Sequence, residues 1–188
     1  MSERIEQIID TLIETEGEYV NHPSDRGGPT RWGITEAVAR SHGYEGDMRD
    51  FPVEMARSIY RHDYYEDPGF ARVAAHSQRI AEELTDTGVN MGQGVAVKFL
   101  QRALNALNRQ GEFYADMVVD GYIGSKTLGA LYRYLQHRGQ RGEQVLFGAI
   151  NALQAERYIA IAENDPDQED FVYGWLWHRV VNQVADHG

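Results

Sequence analysis

The chain has 188 residues, 42% hydrophobic and 25% charged, with no cysteine and a formal net charge of −11. That balance reads as globular and long enough for a real core. It excludes disulfide and thiol chemistry and argues against nucleic acid as a partner, because phosphate binding needs a basic footprint.

No apolar run approaches the ~20 residues of a membrane span. The opening MSERIEQIID is amphipathic and acidic, unlike a signal peptide or an insertable anchor. The seven histidines show no HExxH or comparable spacing, so neither a zinc site nor any other metal site is expected.

The first predicted element is a helix over SERIEQIIDTLIETEG. Ile5, Ile8, Ile9, Leu12 and Ile13 fall on one face, and Gly17 is placed to stop it. At ~100° per residue, Glu16 lies within roughly 20° of Ile5 and Ile9, whereas Glu14 points about 180° from Ile5. A carboxyl held against apolar surface loses hydration in its charged form, which raises its pKa and suits it to act as a general acid.

Residues 17–35 hold Pro23, Gly27, Gly28 and Pro29 between short extended pieces, a loop or small β-hairpin region. A short helix is expected over Thr35–Ser41, ended by Gly43. Another starts near Pro52, with Val53, Ala56, Ile59, Tyr60 and Tyr64 on one face. The breaker at 67–69 precedes a helix from about Arg72 to Val89, with Ile80 and Leu84 inward. NMGQG (90–94) is the clearest internal joint, too short for a flexible linker.

Beyond it, Val95, Phe99, Leu100, Ala103, Leu104 and Leu107 form a helical stripe. VVDGYIGSKT (118–127) reads as a turn and a Ser125-capped helix through Leu135. A long helix is expected from about Glu143 to Ala162, ended by DPD (165–167), and a final one carries Phe171, Trp175, Leu176 and Arg179. Arg133 and the run Arg138–Arg141 are basic, which a solvated helix end explains as well as a binding role does.

The fold class is therefore mainly α, with one small β excursion near the N-terminus. It is expected as one continuous body, with a first region over 1–92 and a helical region over 93–188.

Chemistry concentrates in Glu16, Asp25 and Thr30. A glycosidase needs a proton donor for the leaving oxygen and a second polar group to organise water or stabilise positive charge at the sugar. Asp25, in a polar glycine-rich turn, should stay ionised while Glu16 is pushed up, an acid/base pairing set by environment. The Thr30 hydroxyl could hold a water.

The plainer alternative is a helix-ending Glu16 and an Asx-turn Asp25. Glu18 and Glu36 are rival carboxylates, but Glu18 lies past the helix stop and Glu36 suits the first turn of the next helix. Tyr19, Trp32 and Tyr65 offer ring faces for sugar C–H groups, Asn21 a polar partner for hydroxyls, and Asn90 either a helix cap or a cleft residue. Tyr60 reads as core.

The stretch EGEYVNHPSDRGGPTRWGIT resembles the signature EGGYVNDPxDxGGxTxxGIT of the bacterial and phage N-acetylmuramidases of glycoside hydrolase family 108. The likeness continues through DTGVNMG (86–92), LQRALN (100–105), VVDGYIGSKTL and GWLWHR (174–179), the latter parts resembling a peptidoglycan-binding region.

The resemblance implies a lysozyme-like helical body with a small β-lobe, and hydrolysis of the β-1,4 bond between N-acetylmuramic acid and N-acetylglucosamine. Glu16 would be the general acid, with Asp25 and Thr30 positioning water toward an inverting outcome by analogy with phage lysozymes. No cofactor is implied. Glu18 stands where the family has a second glycine and His22 where it has an acid; neither change removes the acid.

The implied setting is a phage or prophage endolysin made in the cytoplasm. It would be a monomer reaching the wall with help from a holin-like protein, without inserting into the membrane. The alternatives are a non-catalytic peptidoglycan-binding or phage structural protein, and a lytic transglycosylase. Peptidoglycan is itself anionic, so an acidic enzyme gains no non-specific attraction; binding falls to the cleft and the second half.

Overall fold

The computed structural model describes residues 2–16, 19–20 and 28–181, the Glu16 side chain excepted. Its contacts separate into two compact units, Met1–Ala71 and Arg72–Gly188. The fold is mainly α with a single two-stranded antiparallel sheet among the described residues, as the periodicities predict.

In the first unit, α1 (Glu3–Glu16) buries Ile5 and Ile9 completely and Ile8 and Ile13 almost so. The predicted apolar face is the core face, and Glu14 is exposed. Strands β1 (Thr30–Arg31) and β2 (Ile34–Thr35) pair with Thr30 opposite Thr35 and Arg31 opposite Ile34. Helix α2 (Glu36–Ser41) follows at once, its N-cap Thr35 accepting from the Val38 amide, and the chain leaves it through Gly43 at φ 84°.

Helix α3 (Val53–Arg61) packs on α1, burying Ala56, Ile59 and Tyr60. Arg57 pairs with Asp10, and Arg61 with Glu6 at 3.3 Å, so the two helices are also joined by charge. A wide helical turn, His62–Glu66, ends this stretch. Helix α4 (Phe70–Ala74) follows.

In the second unit, the helix expected from about Arg72 to Val89 is two elements. Ser77 interrupts it: its side chain accepts from the Ile80 amide at 3.1 Å, capping α5 (Gln78–Met91), and donates to Glu143. The joint at 90–94 contracts to one residue, Gly92 at φ 93°, before α6 (Gln93–Leu107).

The turn at 118–127 is held by Gln101, whose Nε2 donates to Asp120 Oδ1 at 2.8 Å and to the Tyr122 carbonyl at 3.1 Å. Its Oε1 accepts from the Gly121 amide at 2.9 Å. The next helix is capped by Gly124 rather than Ser125, which is its first residue. The two helices expected there are present and follow one another over Ser125–Asn164, labelled together α7, with a non-helical kink at Gly139 between them.

Helix α8 (Glu169–Leu176) closes the described chain with a wide turn over Trp177–Val181. Ile80, Leu84, Leu100, Leu104, Leu131, Leu146 and Ile150 are fully buried and form the core of this unit. No helix among the described residues is long and apolar enough to cross a membrane.

Candidate active site

Glu16 is the last residue of α1; its side chain, Asn21 and Asp25 lie outside the described residues. The frame around them belongs to the first unit. Val20 and Thr30 exchange two main-chain hydrogen bonds of 2.8 Å, extending the hairpin back toward α1, and the Glu36 amide bonds to the Pro29 carbonyl at 2.9 Å.

Thr30 is half-buried, and among the described residues its hydroxyl makes a long 3.5 Å contact with the Gly28 carbonyl. Tyr19 is also half-buried, with the Arg49 guanidinium 5.8 Å from its ring centroid.

The turn between the strands is Trp32–Gly33, with φ of 55° and 73°. Positive φ at both central residues is the hairpin turn whose twist matches its strands, and asparagine or glycine normally takes the first position. A tryptophan there is strained and must be held by its surroundings.

It is held in three ways. Its Nε1 donates to the Phe51 carbonyl at 3.2 Å, and its own carbonyl accepts from the Tyr60 hydroxyl at 2.8 Å. The Arg31 guanidinium lies 5.2 Å from the indole centroid. Phe51 and Tyr60 are themselves buried. The half-exposed indole therefore stands in a fixed orientation.

Of the residues singled out from sequence, Tyr19, Thr30 and Trp32 belong to this one small lobe. Tyr65 is only 7% exposed, in the wide turn after α3. Asn90 belongs to the second unit, on α5, its Nδ2 donating to the Asp86 carbonyl at 2.6 Å. The rival Glu36 sits in the first turn of α2 and pairs with Arg40 at 2.7 Å, a structural role.

The supporting parts played by Tyr60, Phe51 and Arg49 were not visible in spacing. Tyr60 is 28 residues from Trp32 and differs from an ordinary core tyrosine only in the direction of its hydroxyl.

The DTGVNMG segment lies at the end of α5, and its first polar residues, Asp86 and Thr87, are buried. Asp86 pairs with Arg179 at 2.7 Å, Thr87 donates to Glu83 at 3.4 Å, and Gln154 donates to Thr87 at 3.2 Å. This network ties α5 to α7 and to the turn after α8, and it rigidifies the second unit.

The fold alone does not name the chemistry, and comparison with known proteins supplies what the chain is similar to. Residues 9–92 match the family described as "Glycosyl hydrolase 108", and residues 95–180 match the family described as "Predicted Peptidoglycan domain". The first half of the chain is thus similar to glycosyl hydrolase 108 and the second to a peptidoglycan domain, and the chain is a glycoside hydrolase, a peptidoglycan-degrading enzyme.

Among solved structures it resembles SagA of Brucella abortus at a TM-score of 0.57 and 22% identity, over 97% of this chain and 92% of that one. At that identity the likeness concerns the fold. No curated protein matches.

Proposed function

We propose that this chain is an N-acetylmuramidase that hydrolyses the β-1,4 bond between N-acetylmuramic acid and N-acetylglucosamine, with Glu16 as general acid. The observation that carries the reading is the match of residues 9–92 to glycosyl hydrolase 108. Within that match, Glu16 closes a helix whose Ile5/Ile9 row is fully buried. By helical count the Glu16 position continues that row, where desolvation favours a protonated carboxyl.

Glu16 would give its proton to the glycosidic oxygen. Asp25 and Thr30 would position a water against the far face of the sugar. Trp32, Tyr19 and Asn21 would bind the glycan, the fixed indole packing on a sugar face. Tyr65 would contribute from beneath the surface, and Asn90 is the remaining candidate for binding glycan.

In this reading residues 1–92 are the catalytic region and 93–188 the wall-binding region. The protein works as a monomeric phage-type endolysin, passed to the wall by a holin-like partner.

Digestion of purified sacculi followed by mass spectrometry of the released muropeptides tests the reaction. Reducing N-acetylmuramic acid ends are expected. Reducing N-acetylglucosamine ends would place the cut at the other bond, 1,6-anhydro ends would make the protein a transglycosylase, and no release would leave only binding.

A further inference from the structure

Helix α7 breaks at Gly139, whose φ of 59° and ψ of −154° belong to a region essentially restricted to glycine. Three residues on, Gly142 is required for a different reason: a Cβ there would meet Arg138 Cβ at 2.1 Å. The sequence HRGQRG thus turns the helix at one glycine and closes the turn against the other. The buried Tyr134 braces the corner by donating to the Gly142 carbonyl at 2.8 Å.

The corner walls a hollow of about 500 Å³ whose rim carries His137, Arg138 and Arg141 and whose apolar side includes Leu107 and Val145. All three rim residues are exposed. No described carboxylate pairs with either arginine. The Arg138 guanidinium lies 5.1 Å from the Phe113 centroid, and Phe113 stacks on His137 at 4.4 Å, so two of the three rim groups are held in place by ring contacts.

We propose that this hollow is a carboxylate-binding subsite of the second unit, taking the free carboxyl groups of peptidoglycan peptide stems. The inference rests on the reading of this chain as a peptidoglycan-degrading enzyme. In a chain of net charge −11, a concave rim of unneutralised guanidinium groups focuses positive potential locally. The planar fork of arginine matches a carboxylate in two parallel hydrogen bonds. The apolar wall of Leu107 and Val145 accommodates the aliphatic part of a stem residue. Such a subsite resolves the difficulty of an acidic enzyme on an acidic polymer, because attraction is confined to one place on the surface.

The test is co-sedimentation of the full chain, on ice and at low salt, with teichoic-acid-free sacculi whose carboxyls are either native or amidated with methylamine. The wild type is compared with the double variant Arg138→Gln/Arg141→Gln. Both side chains are exposed, so the variant should fold, and circular dichroism checks that it does.

About tenfold weaker binding, or 1.4 kcal/mol, is expected for the double variant on native sacculi and for the wild type on amidated ones. The double variant should bind both preparations alike, and Arg138→Lys/Arg141→Lys should keep part of the affinity. Wild-type indifference to amidation, full affinity of the double variant on native sacculi, or a double variant that still discriminates would each overturn the proposal. Failure of the muramidase reading would show separately, in the ends of the released muropeptides.

Discussion

The Tyr60 hydroxyl donates to the main-chain carbonyl of Trp32 at 2.8 Å, fastening the core helix α3 to a hairpin turn that its own sequence does not favour. A tyrosine on the core face thus fixes the orientation of the candidate glycan-binding indole.

Removing that hydroxyl should be felt twice. Tyr60→Phe leaves the ring in the core and strips a hydrogen bond from a strained turn, a loss of about 1 kcal/mol in stability read by urea denaturation. Because Trp32 loses one of its three anchors, KM on sacculi should rise more than kcat falls. An unchanged KM would separate the turn from substrate binding.

The second unit depends on a buried charge. Asp86 is almost fully buried and its Oδ1 meets Arg179 at 2.7 Å. Arg179→Met leaves that carboxylate without its guanidinium, and breaking such a pair from one side costs roughly 3 kcal/mol. The midpoint of denaturant unfolding should fall accordingly. Restoring neutrality with Asp86→Asn in the same chain should recover part of the loss.

Alkaline pH should unfold this protein through its tyrosines. Burial pushes the Tyr158 phenol up to about 12 and raises Tyr114 and Tyr134 as well. In the unfolded chain these groups ionise near 10. Between those values the unfolded state holds fewer protons than the folded one, so stability is intact below about pH 10 and falls as pH rises toward 12. Tyr158 alone accounts for on the order of 2 kcal/mol. Tyrosinate absorbance at 295 nm should show a late, cooperative step coincident with loss of helix, and Tyr158→Phe should make stability less dependent on pH in that range.

Local signals carried most of the fold. The isoleucines of α1, the short helix ending before Gly43, and the stripe of Phe99, Leu100, Ala103 and Leu104 all lie where their spacing puts them. What spacing could not carry was long-range.

Ser77 breaks a helical stretch while bonding Glu143, 66 residues away. Gly139 joins two predicted helices at a corner whose closure depends on Gly142 lying against Arg138. The hairpin itself was readable from its glycines and prolines. Its Trp–Gly turn was not, because tryptophan takes a positive φ only when distant groups such as Tyr60 and Phe51 hold it there. For the candidate site, the proposal of Glu16, Asp25 and Thr30 comes from the motif alone, whereas the partners that fix Trp32 become visible only in three dimensions.

The central claim is that the Glu16 carboxyl supplies the proton. Solubilisation of purified sacculi by Glu16→Gln, measured beside its sedimentation with the same sacculi, tests it most directly. The substitution preserves size and hydrogen bonding but removes the acid. Lysis should fall by about a thousandfold, within the range attributed to a positioned general acid, with binding unchanged. Lysis at the wild-type rate would place the acid elsewhere in the chain.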